Sequence, residues 1–121
     1  MRKLTANLKP DERQRITLAE AAALLPTPEG RRSAAVFEHG TLQVKLYAPR
    51  ETDPQPPHTR DEVYVVACGT GWFSNGPRRH AFVPHDVLFV KAGVAHRFEA
   101  FSDDFLVWVF FYGPEGGETD A

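Results

Sequence analysis

From residue 34 onward the chain alternates short apolar runs with polar turn residues, and the repeat has the period of strands rather than helices. "AAVFEHG" (34–40) predicts a short strand. In "TLQVKLYA" (41–48), Leu42, Val44 and Leu46 fall on one face and Gln43 and Lys45 on the other, the mark of a half-buried strand. "PRETDPQPP" (49–57) is a proline-rich connector whose missing N–H groups keep it out of a central ladder. "DEVYVVAC" (61–68) is a strand, and "GTGWFSNGPRRHAFV" (69–83) reads as two strands about an Asn75-Gly76 hairpin turn. "DVLFV" (86–90), "AHRFEA" (95–100) and "DFLVWVFFY" (104–112) complete about eight strands.

One helix stands out, over about 17–25 in "TLAEAAALLP": Thr17 and Glu20 form a capping box, and Pro26 and Pro28 end it. The pattern divides the chain into an N-terminal extension (1–33), a β-barrel (34–113) and a flexible acidic, glycine-rich tail (114–121). Many short strands joined by turns, without alternating helices, predict an all-β antiparallel sandwich, barrel or jelly roll. Two strands, "VYVVAC" and "FLVWVFFY", are apolar on both faces. An antiparallel sheet usually turns one face to water, so the outer face here needs a cover. The N-terminal helix or a second subunit would supply it, and a homodimer is the expectation.

Composition narrows the function. The chain has 121 residues, 42% hydrophobic, with a formal charge of −2, which bounds it to a globular protein with no electrostatic reason to bind nucleic acid or an anionic membrane. Its longest apolar run, 105–112, is far too short for a membrane span. The single cysteine, Cys68, fits a reducing, cytoplasmic setting and reads as a small packed residue rather than a reactive thiol.

The chemistry concentrates in "PQPPHTRDEVYVV" (54–66) and at His96. His58, Glu62 and His96 offer two imidazoles and a carboxylate, a donor set for Fe, Mn, Ni or Zn. Residues four apart on one continuous strand lie about 13 Å apart, too far to share an ion. His58 and Glu62 meet only if Thr59-Arg60-Asp61 reverses the chain and sets them on neighbouring strands. A solvated turn with two unrelated histidines is the alternative, and a register slip would substitute Asp61 for Glu62. His39, His80 and His85 lie near turns and read as surface residues. No phosphate-binding loop, hydrolase triad or zinc-finger spacing is present.

These residues carry a resemblance to the small single-domain cupins. Placing Glu62 on the glutamate of that family's first motif puts His58 on its second histidine and Gly69 on its closing glycine. In "HDVLFVKAGVAHRFEA", Gly93 and His96 fall on the glycine and histidine of the second motif. The resemblance covers about residues 36–112 and implies a double-stranded β-helix, or jelly-roll barrel, with His58, Glu62 and His96 holding a divalent transition metal. It also implies a small-molecule ligand. The family includes metal-dependent dioxygenases and isomerases, as well as modules that only bind. Arg50, His85, Lys91 and Ala100 depart from the motifs, and Pro56 replaces a ligand histidine. The lost position falls to water, to substrate or to Gln55 through its amide oxygen; alternatively the site has decayed and holds no metal. Arg60, Tyr64, Phe98 and Trp108 are the expected additional pocket residues, with Arg60 placed to reach an anionic ligand.

Overall fold

The computed structural model describes residues 8–119; the lead-in over 1–7 and the last two residues of the tail lie outside the described residues. After a 3-10 turn at Pro10–Glu12 comes one short helix, α1 (Leu18–Ala22). The strands are β1 (Ser33–His39), β2 (Leu42–Tyr47), β3 (Asp61–Cys68), β4 (Gly71–Asn75), β5 (Arg78–Phe82), β6 (Val87–Val90), β7 (His96–Glu99) and β8 (Leu106–Tyr112). They form a five-stranded sheet, β1-β2-β8-β3-β6, and a three-stranded sheet, β5-β4-β7. Every pairing is antiparallel. The all-β, jelly-roll expectation holds, strand for strand. Among the described residues no helix is long and apolar enough to cross a membrane.

The helix begins where its capping box places it. Thr17 Oγ1 accepts from the Glu20 N–H at 3.1 Å, and Glu20 Oε1 accepts from the Thr17 N–H at 2.9 Å. It ends earlier than expected, because bonds from Leu24 to Ala21 and from Leu25 to Ala22 tighten the last turn. Pro26 then excludes Leu25 from the helical region. The β4–β5 hairpin forms as expected, but its loop is Gly76-Pro77, with Asn75 paired to Arg78. Glycine is needed there, since Gly76 has φ +57°.

Two cores lie on opposite faces of the larger sheet. Between the two sheets, Tyr64, Val66, Phe73, Phe82, Val90, Phe98, Phe105, Val107 and Val109 pack together. Behind the larger sheet, Ala21, Val36, Val44 and Leu46 pack with Ile16, Leu18, Leu24, Trp108 and Phe110. The N-terminal segment therefore covers the outer face of β2 and β8. Trp108 belongs to this cover and not to a ligand pocket. The alternation of β8 sends 107, 109 and 111 inward and 106, 108 and 110 outward. The cover stops short of the sheet's far edge, where Val87 and Phe89 of β6 are 66% and 50% exposed beside half-buried Val63 and Val65.

The glycine that closes the first motif is a packing requirement. A Cβ on Gly69 would sit 2.7 Å from the Phe105 Cα and 2.8 Å from the Ser102 hydroxyl, and its φ is +92°. The tail has little to bury, as its composition suggests, yet its backbone is tied down. The Gly116 N–H donates to the Thr59 carbonyl (2.7 Å) and the Glu118 N–H to Asp61 Oδ2 (2.8 Å). The tail expected to be flexible over 114–121 thus makes two backbone hydrogen bonds to the barrel, which side-chain pattern does not reveal.

Candidate metal centre

Glu62 lies near the start of β3, an interior strand of the larger sheet, paired with Val90 of β6 and Phe111 of β8, and is 1% exposed. Its side chain points between the sheets, as do those of Tyr64 and Val66, two and four positions on. His96 opens β7 in the smaller sheet, opposite Asn75, and is 5% exposed. The two sheets thus bring a carboxylate and an imidazole together from opposite sides.

His58 arrives differently from expectation. The chain bends at Thr59 and Arg60, but the segment before the bend is not a strand. Its ladder partner is a turn: the Gly93 N–H donates to the His58 carbonyl at 2.7 Å. That bond fastens His58 to the loop that precedes His96, and the two rings stand 5.1 Å apart. Asp61 secures the same corner. Its Oδ1 accepts from the Ala92 N–H (3.0 Å) and its Oδ2 from Glu118, which holds its carboxyl below the usual range. With both oxygens so engaged, Asp61 is no substitute for Glu62.

The ligand-type atoms of His58, Glu62 and His96 lie within 4.8 Å of one another. His96 Nε2 approaches Glu62 Oε1 to 3.2 Å, and His58 Nε2 lies 4.0 Å from the same oxygen. His96 Nδ1 is 2.8 Å from the Val94 carbonyl. A carbonyl only accepts, so Nδ1 carries the proton, and in the neutral ring Nε2 presents a lone pair to the carboxylate. Neither Glu62 oxygen nor His96 Nε2 has a hydrogen-bond partner, although all three are buried. Buried polar atoms are otherwise almost always satisfied. Buried lone pairs that converge repel one another, and a shared cation, either a proton or a metal ion, relieves that repulsion.

The electrostatics follow from the same contacts. Burial, the largest influence on both histidines, opposes protonation. At His58 it prevails over the attraction of Glu62 and lowers the pKa; His96 and Lys45 add to the lowering. At His96 the Glu62 contact and the Val94 carbonyl together outweigh burial and raise it. Burial and then Glu62 push the Tyr64 phenol far up, and burial and then Asp53 do the same to Tyr47. Both remain hydroxyls at neutral pH.

Gln55 reaches the centre, whereas Pro56 faces solvent. The Gln55 amide oxygen accepts from the Tyr64 hydroxyl (3.2 Å) and lies 2.9 Å from His58 Nε2. Its amide nitrogen donates to Asp53 Oδ2 at 2.7 Å. The amide thereby places a proton on His58 Nε2, so a cation taken there exchanges that hydrogen bond for a coordinate bond. Asp53 was not legible as a site residue. It is 3% exposed and also accepts from the Tyr47 hydroxyl (2.5 Å) and the Phe98 N–H (2.9 Å). Only its position in a proline-rich stretch distinguishes it in the sequence, and that suggests solvent.

A cavity of about 150 Å³ adjoins the centre, bounded by His58, Glu62, Tyr64, Gln55 and Tyr47, with Lys45, Ser33, Val109 and Phe111 around them. Besides Trp108, two expected pocket residues lie elsewhere. Phe98 is 1% exposed and packs among Tyr64, Phe73, Phe82 and Phe105, so it supports the cavity without lining it. Arg60 lies over the Phe111 ring, bonds the Thr41 carbonyl and faces Glu115 at 4.0 Å, on the rim of a separate surface groove. It does not reach the triad. His39, His80 and His85 are exposed, as expected.

No family model matches the chain. An uncharacterized protein of Streptomyces coelicolor is 41% identical to it over 76 residues, 61% of this chain and 72% of that one. A cupin superfamily protein from Desulfitobacterium hafniense has a structure similar to 88% of this chain and 98% of its own, with a TM-score of 0.62 at 20% identity. A cupin-2 domain protein from Shewanella frigidimarina matches 67% of this chain and 79% of its own, with a TM-score of 0.57 at 18% identity. Fold, strand order and these likenesses agree: the chain has the fold of the small cupins.

Proposed function

We propose that the protein is a metal-binding cupin that takes a small organic molecule in the cavity beside His58, Glu62 and His96. The observation that carries this reading is the set of three buried atoms, Glu62 Oε1, Glu62 Oε2 and His96 Nε2, converging without hydrogen bonds. Two nitrogens and a carboxylate suit Fe, Mn, Ni or Zn and leave coordination positions open for a ligand. A bound ion supplies Lewis-acid polarisation or a centre for oxygen chemistry. The chain's own residues orient the ligand. Tyr47 and Tyr64 stay protonated, Val109 and Phe111 give an apolar wall, and Gln55 positions His58. Which reaction follows is not a matter the fold decides.

The test is elemental analysis of protein purified without an affinity tag, beside its His96→Ala variant. Near-stoichiometric metal in the wild type and its loss in the variant are expected. No metal, together with no thermal stabilisation by Fe, Mn, Ni or Zn, sinks the reading.

A second reading has its own observation. Gln55 engages His58 Nε2, which favours a module that binds small molecules without turning them over. Turnover of small carbonyl, phenolic or sugar compounds by metal-loaded protein separates enzyme from binder. The exposed strip of Val87 and Phe89 beside Val63 and Val65 supports the inference of a homodimer formed through the β6 end of the larger sheet. The unpaired Cys68 suits a reducing, cytoplasmic setting.

A further inference from the structure

We propose that the cavity beside His58 and Glu62 is built for a small organic acid, whose carboxylate is held by Lys45 with the Ser33 hydroxyl. The proposal names the ligand class for the site described above, and so rests on that cavity being the ligand site.

The polar face of β2 carries the argument. Val44 and Leu46 turn outward beneath the N-terminal segment, so Lys45 and Tyr47 turn inward to the cavity. Lys45 is half-buried, and its ammonium has no hydrogen bond or ion pair among the described residues. A lysine that lines a cavity without an ion pair leaves its charge available to an anion there. The two carboxylates of the site do not pair with Lys45. Asp53 already accepts from Tyr47, Gln55 and the Phe98 N–H, and Glu62 faces the histidines.

The remaining donors point the same way. The Tyr47 hydroxyl hydrogen is committed to Asp53 and that of Tyr64 to Gln55. Lys45 and Ser33, with the second amide hydrogen of Gln55, are thus the donors of the cavity wall left for a ligand, and Lys45 is the charged one. Ser33 stands opposite Tyr47 in the β1–β2 ladder, and Lys45 opposite Ala35, so the two line one stretch of wall. Val109 and Phe111 form the apolar side. A volume near 150 Å³ equals about five waters at ~30 Å³ each, room for a short acid and not for a sugar phosphate. A single lysine matches a monoanion better than a phosphate dianion, which calls for several donors.

Isothermal titration of the whole chain tests this with propionate, butyrate and benzoate, the corresponding amides, and inorganic phosphate, metal content being measured on every sample. Expected is binding of at least one carboxylate at least tenfold tighter than its amide. In Lys45→Met that preference disappears while metal content is unchanged, and in Lys45→Arg it persists. Lys45→Gln serves as the second charge-removing variant if Lys45→Met fails to fold. Equal binding of acid and amide, a preference intact without Lys45, tighter binding of phosphate, or no binding of any acid each overturns the proposal. The same titration on His96→Ala separates the two readings. Lysine-dependent acid binding in protein that never held metal retires the metal and keeps the acid site; metal without acid preference does the reverse.

Discussion

Glu62 and His96 face each other across 3.2 Å in the interior of the barrel without forming a hydrogen bond. A carboxylate buried without donors is costly, and the cost is tolerated where a ligand repays it. Glu62→Gln removes the charge and keeps the shape. In metal-free protein we expect this variant to be as stable as the wild type or more stable, by about 1–3 kcal/mol, and to lose all response to added metal. Urea melts with and without metal and chelator provide the measurement; a metal-free variant markedly weaker than the wild type would contradict it.

Metal itself should stabilise the wild type. An ion present at a hundred times its dissociation constant contributes about 2.7 kcal/mol, which for a chain of this size raises Tm on the order of 10 °C. Chelator should reverse the shift, and His96→Ala should abolish it. Differential scanning calorimetry at matched protein concentration reads both.

Asp53 joins three segments through three donors: the Tyr47 hydroxyl, the Gln55 amide and the Phe98 N–H. Asp53→Ala leaves these buried groups without an acceptor and should cost about 2–4 kcal/mol. Asp53→Asn, which keeps one acceptor oxygen, should cost less. Chemical denaturation of the two variants gives the comparison, and an alanine variant within 0.5 kcal/mol or so of the wild type would show that the network is not structural.

Asp61 sets an acid limit. The N–H groups of Glu118 and Ala92 hold its folded pKa below the unfolded value of about 3.9. The sign is that of a depressed carboxyl: the stabilisation is complete above the unfolded pKa and is lost as pH falls through the folded one. Asp61→Asn should therefore lower stability at pH 7 and flatten the loss of stability below about pH 4. Melting curves between pH 2 and 7 on the order of one unit apart test it; parallel curves for wild type and variant would refute it.

Phe89→Lys together with Val87→Lys places two charges on the open edge of the larger sheet, where the wild-type side chains are 50% and 66% exposed. If that edge is the subunit contact, the double variant sediments as a monomer at concentrations where the wild type is a dimer, with an unchanged circular dichroism spectrum. A wild type that sediments as a monomer ends the inference.

The strands were legible because alternation and turn residues are local signals, and every one of the eight expected strands is present. What lies against each face was not. Leu46 and Trp108 announce burial, but the period of a strand does not say whether the buried face meets the barrel or the N-terminal segment; both meet the segment. The meeting of His58, Glu62 and His96 followed from motif spacing together with a bend at Thr59 and Arg60. Asp53 stayed hidden because one of its partners, Phe98, is 45 residues away and is contacted through backbone. Gln55 reads as one option among several until the chain shows it turned inward beside an outward Pro56. The anchoring of residues 116 and 118 uses N–H groups that every sequence possesses.

The orientation of β2, with its apolar residues toward the N-terminal cover, bears on how such a barrel changes its ligand over evolutionary time. Positions 44 and 46 secure the strand to the N-terminal cover, while 45 and 47 meet the cavity. Residues that hold the cover and residues that meet the cavity thus alternate along one strand. Substitution at Lys45 retunes what the barrel accepts without opening a void in either core, so new preferences can arise one residue at a time on an unchanged scaffold.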